Sequence, residues 1–208
     1  MKRFRLFILL LSICTVLSIQ YSKAGVDFGL SINNRTAEFY LAIGNHFQVS
    51  TKQIAVCKQN KIPDEDMPVV FFLARRTHVT PQKIIDLRLS GRTWMEIAAN
   101  FRLTAEVFYV AIQKPAGPPY GKAYGHYQNK PKKKWKNIKL TDDEITNLVN
   151  LRFIANYYGY TPDEVVKMRE QGKSFKAIND QIIIAQKKEK AHKKLLAKKK
   201  TAKGKKKK

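Results

Sequence analysis

The sequence predicts an all-α fold: an array of short capped helical hairpins in two lobes, joined by a Gly/Pro/Tyr-rich linker and followed by a disordered lysine-rich tail. Three observations carry this expectation. Apolar residues recur at helical spacing through 25–114 and again through 140–186, with no alternating run of useful strand length. One stretch of sequence is repeated within the chain. Each clear copy opens on a helix start signal and closes on a glycine.

The repeat is read by aligning the chain on itself. Phe72-Leu73-Ala74 through Ile97 lies without a gap on Phe153-Ile154-Ala155 through Ile178. Thr80-Pro81 matches Thr161-Pro162, Leu87-Arg88 matches Met168-Arg169, Gly91 matches Gly172, and Trp94 matches Phe175. A looser copy lies 30 residues upstream of the first, with Ser50-Thr51, Ile54-Ala55 and Cys57-Lys58 in the same frame. Recurrence of this kind marks a repeated supersecondary unit.

The elements follow in chain order. Residues 1–24 have a cationic start (Lys2, Arg3, Arg5), an apolar run from Leu6 to Ile19, and a small-residue end at Ala24. This is a secretory signal pattern, too short in its apolar run to span a bilayer, and cleavage is expected after Ala24. Bulky Ile13 before Cys14 argues against lipoprotein processing. Removing Lys2, Arg3, Arg5 and Lys23 lowers the formal charge from +24 to +20 and leaves Cys57 as the one cysteine, so stability must come from packing.

Residues 25–114 form the first helical lobe. Ser50, Thr80 and Thr161 are expected N-caps, with Pro81 and Pro162 at first helical positions, where a missing N–H costs nothing. Ser50/Gln53, Thr141/Glu144 and Thr161/Glu164 have capping-box spacing. Val49, Val79 and Tyr160 precede the caps as hydrophobic staples, and Gly91 and Gly172 suit left-handed helix ends. Residues 115–139, rich in Gly, Pro, Tyr and then Lys, read as the linker. Residues 140–186 form the second lobe. Residues 187–208 hold 13 Lys and one Glu, a charge of +12 that predicts flexibility beyond Lys193, with 187–196 able to extend the last helix.

Few residues point to catalysis. Cys57 aligns with Leu87 and Met168, so it reads as a small core residue. The four His are scattered without metal-ligand spacing, and two Cys exclude a disulfide framework or a zinc ribbon. Asp64, Glu65 and Asp66 precede Pro68 and are expected to complement a helix N-terminus. No phosphate-binding Gly-rich loop, nucleophile elbow or triad order is present. A non-enzymatic chain without metal or cofactor is expected.

Residues 92–112 resemble the helix-turn-helix of bacterial transcription regulators. Ile97-Ala98 occupy the first helix, Phe101 and Leu103 flank the turn, Thr104 caps the second helix, and Phe108 lies within it. The pattern departs from that family at Arg102, where a turn glycine is usual, and in the apolar, aromatic character of 105–112. The strings Phe39-Tyr40-Leu41-Ala42-Ile43-Gly44, Arg88-Leu89-Ser90-Gly91-Arg92 and Gly117-Pro118-Pro119-Tyr120-Gly121 are similar to those of exported bacterial proteins without assigned function. That resemblance implies export and no particular activity.

The charge pattern implies a polyanionic partner. In the linker, Tyr120, Tyr124 and Tyr127 interleave with lysines, and Lys130, Lys132, Lys133, Lys134, Trp135 and Lys136 combine cations with an aromatic face suited to a single-stranded nucleic acid or acidic glycan. Alternatively the segment is a surface loop with packed rings and solvated lysines. In the tail, Lys193, Lys194, Lys198, Lys199, Lys200, Lys205, Lys206, Lys207 and Lys208 are the expected anion-binding residues. The leading expectation is an exported, periplasmic or secreted protein binding lipopolysaccharide, an acidic glycan, extracellular nucleic acid or an anionic membrane surface. The alternatives are a helix-turn-helix nucleic-acid-binding protein and an envelope scaffold docking a protein through Phe108, Tyr109 and their neighbours.

Overall fold

The computed structural model describes residues 34–128 and 130–205, with side chains described over 35–197, and the expected export segment 1–24 lies outside them. Among the described residues all regular structure is helical. In chain order the helices are α1 (Asn34–Phe47), α2 (Thr51–Gln59), α3 (Met67–Thr77), α4 (Pro81–Leu89), α5 (Trp94–Asn100), α6 (Gly121–Tyr127), α7 (Asp142–Tyr158), α8 (Pro162–Glu170) and α9 (Phe175–Lys205). Single 3₁₀ turns occupy Asp64–Asp66, Ala105–Phe108 and Lys132–Asn137.

The repeat is reproduced in detail. Ser50, Thr80 and Thr161 are N-caps in extended conformation, each accepting the backbone N–H three residues on, and Pro81 and Pro162 begin α4 and α8. All three expected capping boxes form, and Thr93/Glu96 adds a fourth that the sequence reading did not identify. The turn before each cap is left-handed at Gln48, His78 and Gly159, with φ 56°, 58° and 74°; the turn after each short helix is left-handed at Lys61, Gly91 and Gly172, with φ 56°, 84° and 78°. The expected glycine stops are therefore present, but three non-glycine residues adopt the same conformation.

The two expected lobes do not separate. α3 is buried along Met67–Ala74 and packs against α1, α4 and α7, while α1 also packs against α9, so one continuous core runs from Phe39 to Ile182. The physical reason is α3 itself, which is apolar around most of its circumference and needs neighbours on several sides.

The segment 115–139 is likewise part of this core rather than a linker. Tyr120, Tyr124, Tyr127 and Trp135 are buried, Tyr124 donates to the Val110 carbonyl and Tyr127 to the Ala105 carbonyl, both at 2.7 Å. Tyr109 lies 4.6 Å from Trp135 and 5.0 Å from Tyr127 between ring centroids. These rings bury large apolar areas, and the hydroxyls of Tyr124 and Tyr127 find carbonyls, which composition averaged over a Gly/Pro-rich stretch conceals.

The tail differs from expectation too. α9 continues as helix through Lys205, beyond the expected extension over 187–196. Lys, Ala and Leu are good helix formers, the segment lacks proline, and Lys193 pairs with Glu189 one turn earlier at 2.6 Å. Among the described side chains the last buried residue on α9 is Ile182.

Candidate anion-binding surfaces

Two surfaces carry the lysines singled out in the sequence. The first is the 3₁₀ turn Lys132–Asn137. Lys130, Lys132, Lys133, Lys134 and Lys136 are exposed there, and the Lys132 ammonium lies 5.9 Å from the Trp135 ring centroid. Trp135, expected to offer a stacking face, is 8% exposed, with its indole N–H donated to the Lys130 carbonyl at 3.0 Å. It therefore holds the strap down and leaves the ligand surface to the lysines around it. Tyr120, Tyr124 and Tyr127 are withdrawn in the same way.

The second surface is α9 beyond the core. Arg35 pairs with Asp180 and Glu38 with Lys187, both at 3.3 Å, which lays the helix along α1 up to that point. From Lys187 to Ala197 every residue is exposed, Lys193 and Lys194 among them, and Leu195 and Leu196 are half-exposed. Lys198, Lys199, Lys200 and Lys205 continue on the same helix, whereas Lys206, Lys207 and Lys208 lie outside the described residues.

The acidic trio stands immediately before α3, as expected of residues that complement a helix N-terminus, and also links distant elements. Asp64 accepts from Tyr40 and Lys176 at 2.6 Å and from Lys58 at 3.2 Å. Burial raises its pKa, but the hydrogen bonds from Lys176, Tyr40 and Lys58 outweigh that and hold the carboxyl below the usual range. Asp66 accepts from Thr146, and burial leaves its pKa raised. Glu65 accepts the backbone N–H of Phe175 at 2.7 Å, capping α9 from across the molecule. The trio is thus a junction of α1, α2, α7 and α9. Apart from Lys58, its partners lie far away in sequence, and no local pattern points to them.

The remaining candidates are quiet. Cys57 is fully buried, and burial pushes its thiol up to about 12, which leaves it a protonated core residue. Among the described residues no group of His, Cys, Asp and Glu is arranged to hold a metal ion, and no helix is long and apolar enough to cross a membrane. In the segment resembling a helix-turn-helix, Arg102 takes φ 60° at the turn. The second helix of that unit is only the 3₁₀ turn Ala105–Phe108, with Ala105 and Phe108 buried. Phe108 is 0% exposed and Tyr109 is packed on Trp135, so the docking face expected there is inside the protein.

No family model, curated protein or solved structure matches the chain.

Proposed function

We propose that the chain is an exported, non-enzymatic helical protein that binds anionic polymers or surfaces electrostatically, through the lysines of α9 beyond Ile182 and those of the Lys132–Asn137 turn. The observation that carries this reading is the departure of α9 from the core. From Lys187 to Ala197 the helix is exposed throughout, and lysines held at helical spacing repel one another unless a polyanion neutralises them. The partner class is lipopolysaccharide, an acidic glycan, extracellular nucleic acid or an anionic membrane, and contact is through charge rather than ring stacking, given the burial of Trp135.

Binding to heparin, anionic vesicles and DNA, compared between the full chain and a chain ending at Gln186 across low and high salt, tests this reading. Loss of binding in the shorter chain, steepest at low salt, is the expected result. Equal binding by both chains at every salt concentration rejects the arm's role.

The helix-turn-helix reading is favoured by one observation, the left-handed Arg102 at the turn. Against it, a recognition element must reach base edges in a groove, and in Ala105–Phe108 two of the four residues, Ala105 and Phe108, are buried, with the Val107 carbonyl engaged by Arg152 at 2.7 Å.

A further inference from the structure

A cavity of about 470 Å³ opens between the end of α1, the last turn of α3 and the middle of α7. Five of its lining side chains are basic: Arg75, Arg76 and Arg152, with His46 and His78. Among the described residues no carboxylate forms an ion pair or hydrogen bond with any of them. Elsewhere in the molecule Arg35 and Arg88 each have an aspartate.

The geometry fixes part of this cluster in place. Arg152 donates to the Val107 and Tyr109 carbonyls at 2.7 and 2.6 Å, which anchors its guanidinium while leaving Nε–H and one N–H on each terminal nitrogen. The guanidiniums of Arg76 and Arg152 lie 5.4 and 5.2 Å from the centroid of the same ring, Phe72. His46 is held among Phe47, Phe153 and Tyr157 at centroid distances of 4.6, 5.1 and 6.2 Å. Burial, and secondarily the charge of Arg75, lower the pKa of His46, and burial, and secondarily Arg76, lower that of Arg152.

We propose that this cavity binds a phosphomonoester, its dianionic group held by Arg75, Arg76 and Arg152 and its organic remainder lying on Phe47 and Phe72. A guanidinium fork suits both carboxylate and phosphate, but a carboxylate brings one negative charge to three arginines. A phosphomonoester brings about two, with three acceptor oxygens. The cavity is also larger than a bare anion requires and falls in the range of small-ligand sites, and its apolar wall gives the remainder a surface. This site lies on elements other than the α9 arm and the Lys132–Asn137 turn, so it goes beyond the electrostatic reading and does not depend on it.

The test is calorimetric titration of the full chain with phenyl phosphate, with benzoate as the carboxylate control and vesicles containing phosphatidic acid as the lipid-borne source. Saturable one-to-one binding of phenyl phosphate is expected. Arg75→Gln with Arg76→Gln, both at exposed positions, weakens it by about tenfold or more, and benzoate binds weaker by a similar factor. Replacing Lys193, Lys194, Lys198, Lys199 and Lys200 by Gln leaves phenyl phosphate binding unchanged, which separates this site from the arm. Arg152→Lys, which keeps the charge and loses the fork, also weakens it.

In the bound state the His46 imidazole titrates at higher pH, because a dianion then stands among Arg75, Arg76, His78, Arg152 and the Tyr157 ring. Weaker binding of the double arginine variant to phosphatidic acid vesicles but not to phosphatidylglycerol vesicles, which attract the lysine surfaces without offering a monoester, assigns the phosphate to a lipid; binding to both vesicles equal to that of the unaltered chain assigns it to a soluble ester. Unchanged phenyl phosphate affinity in the double variant, equal affinity for benzoate, or absence of saturable binding overturns the proposal.

Discussion

The Asp142 carboxylate accepts the backbone N–H of Trp94 at 2.7 Å, so the first residue of α7 caps a helix that begins 48 residues earlier. The same carboxylate pairs with Arg88 at 2.6 Å, and Arg88 in turn lies 4.4 Å over the Trp94 ring and donates to the Arg92 carbonyl. The second copy repeats the device. Arg169 lies 4.9 Å over Phe175 and donates to the Lys173 carbonyl, while the carboxylate that caps Phe175 is Glu65 from the other half. Each half of the molecule supplies the helix cap of the other, which is why the copies close into one body.

Asp142→Ala removes the acceptor of the Trp94 N–H, which supplements the Thr93/Glu96 box at the start of α5, and the partner of Arg88 together. A loss of about 2 kcal/mol in unfolding free energy is expected from denaturant titration. A change within about 0.5 kcal/mol would mean that α5 does not depend on α7 for its start.

Much of this was legible in the sequence where the signal is local. Ser50, Thr80, Thr141 and Thr161 announce helix starts because a cap and its partner lie within one turn. What was not legible is long-range. The pairing of Glu65 with Phe175 is 110 residues apart, and nothing in either segment names the other. The rings at Tyr120, Tyr124, Tyr127 and Trp135 were ambiguous for a related reason: a Gly/Pro-rich stretch looks like a linker until its aromatics find carbonyls at Ala105 and Val110. Among the candidate site residues with described side chains, the lysines kept the exposure their charge demands, and Trp135 did not, because its apolar area belongs in the core.

Trp135→Ala should cost about 3 kcal/mol of stability, since a buried ring is removed from a packed cluster. Replacing Lys132, Lys133, Lys134 and Lys136 by Gln should change stability by less than about 0.5 kcal/mol while weakening polyanion binding. Thermal melts alongside heparin affinity separate the two roles. Reversed outcomes would return Trp135 to the ligand surface.

Lys61 is exposed and left-handed where its repeat-mates are Gly91 and Gly172. Lys61→Gly should stabilise the protein by about 0.5 kcal/mol, because relief of backbone strain of about 1 kcal/mol is partly offset by the freedom glycine gains in the unfolded chain. Denaturant midpoints measure the sign directly.

The depressed pKa of Asp64 links this junction to pH. A carboxyl whose folded pKa is lowered contributes stability that is present above its unfolded value and is lost as pH falls through the folded one. The difference in stability between wild type and Asp64→Asn is therefore expected to be largest at neutral pH and to shrink below the usual carboxylate range. A difference that stays constant down to acid would show that Lys176, Lys58 and Tyr40 do not favour the ionised form.

The most direct measurement is the slope of log affinity against log salt for a heparin-like polyanion, taken on the full chain and on a chain ending at Gln186. Each cation engaged by the polyanion adds to that slope. A steep negative slope is expected for the full chain and is expected largely to disappear in the shorter one, with both chains melting cooperatively. An unchanged slope after removal of the arm would contradict the arm's role.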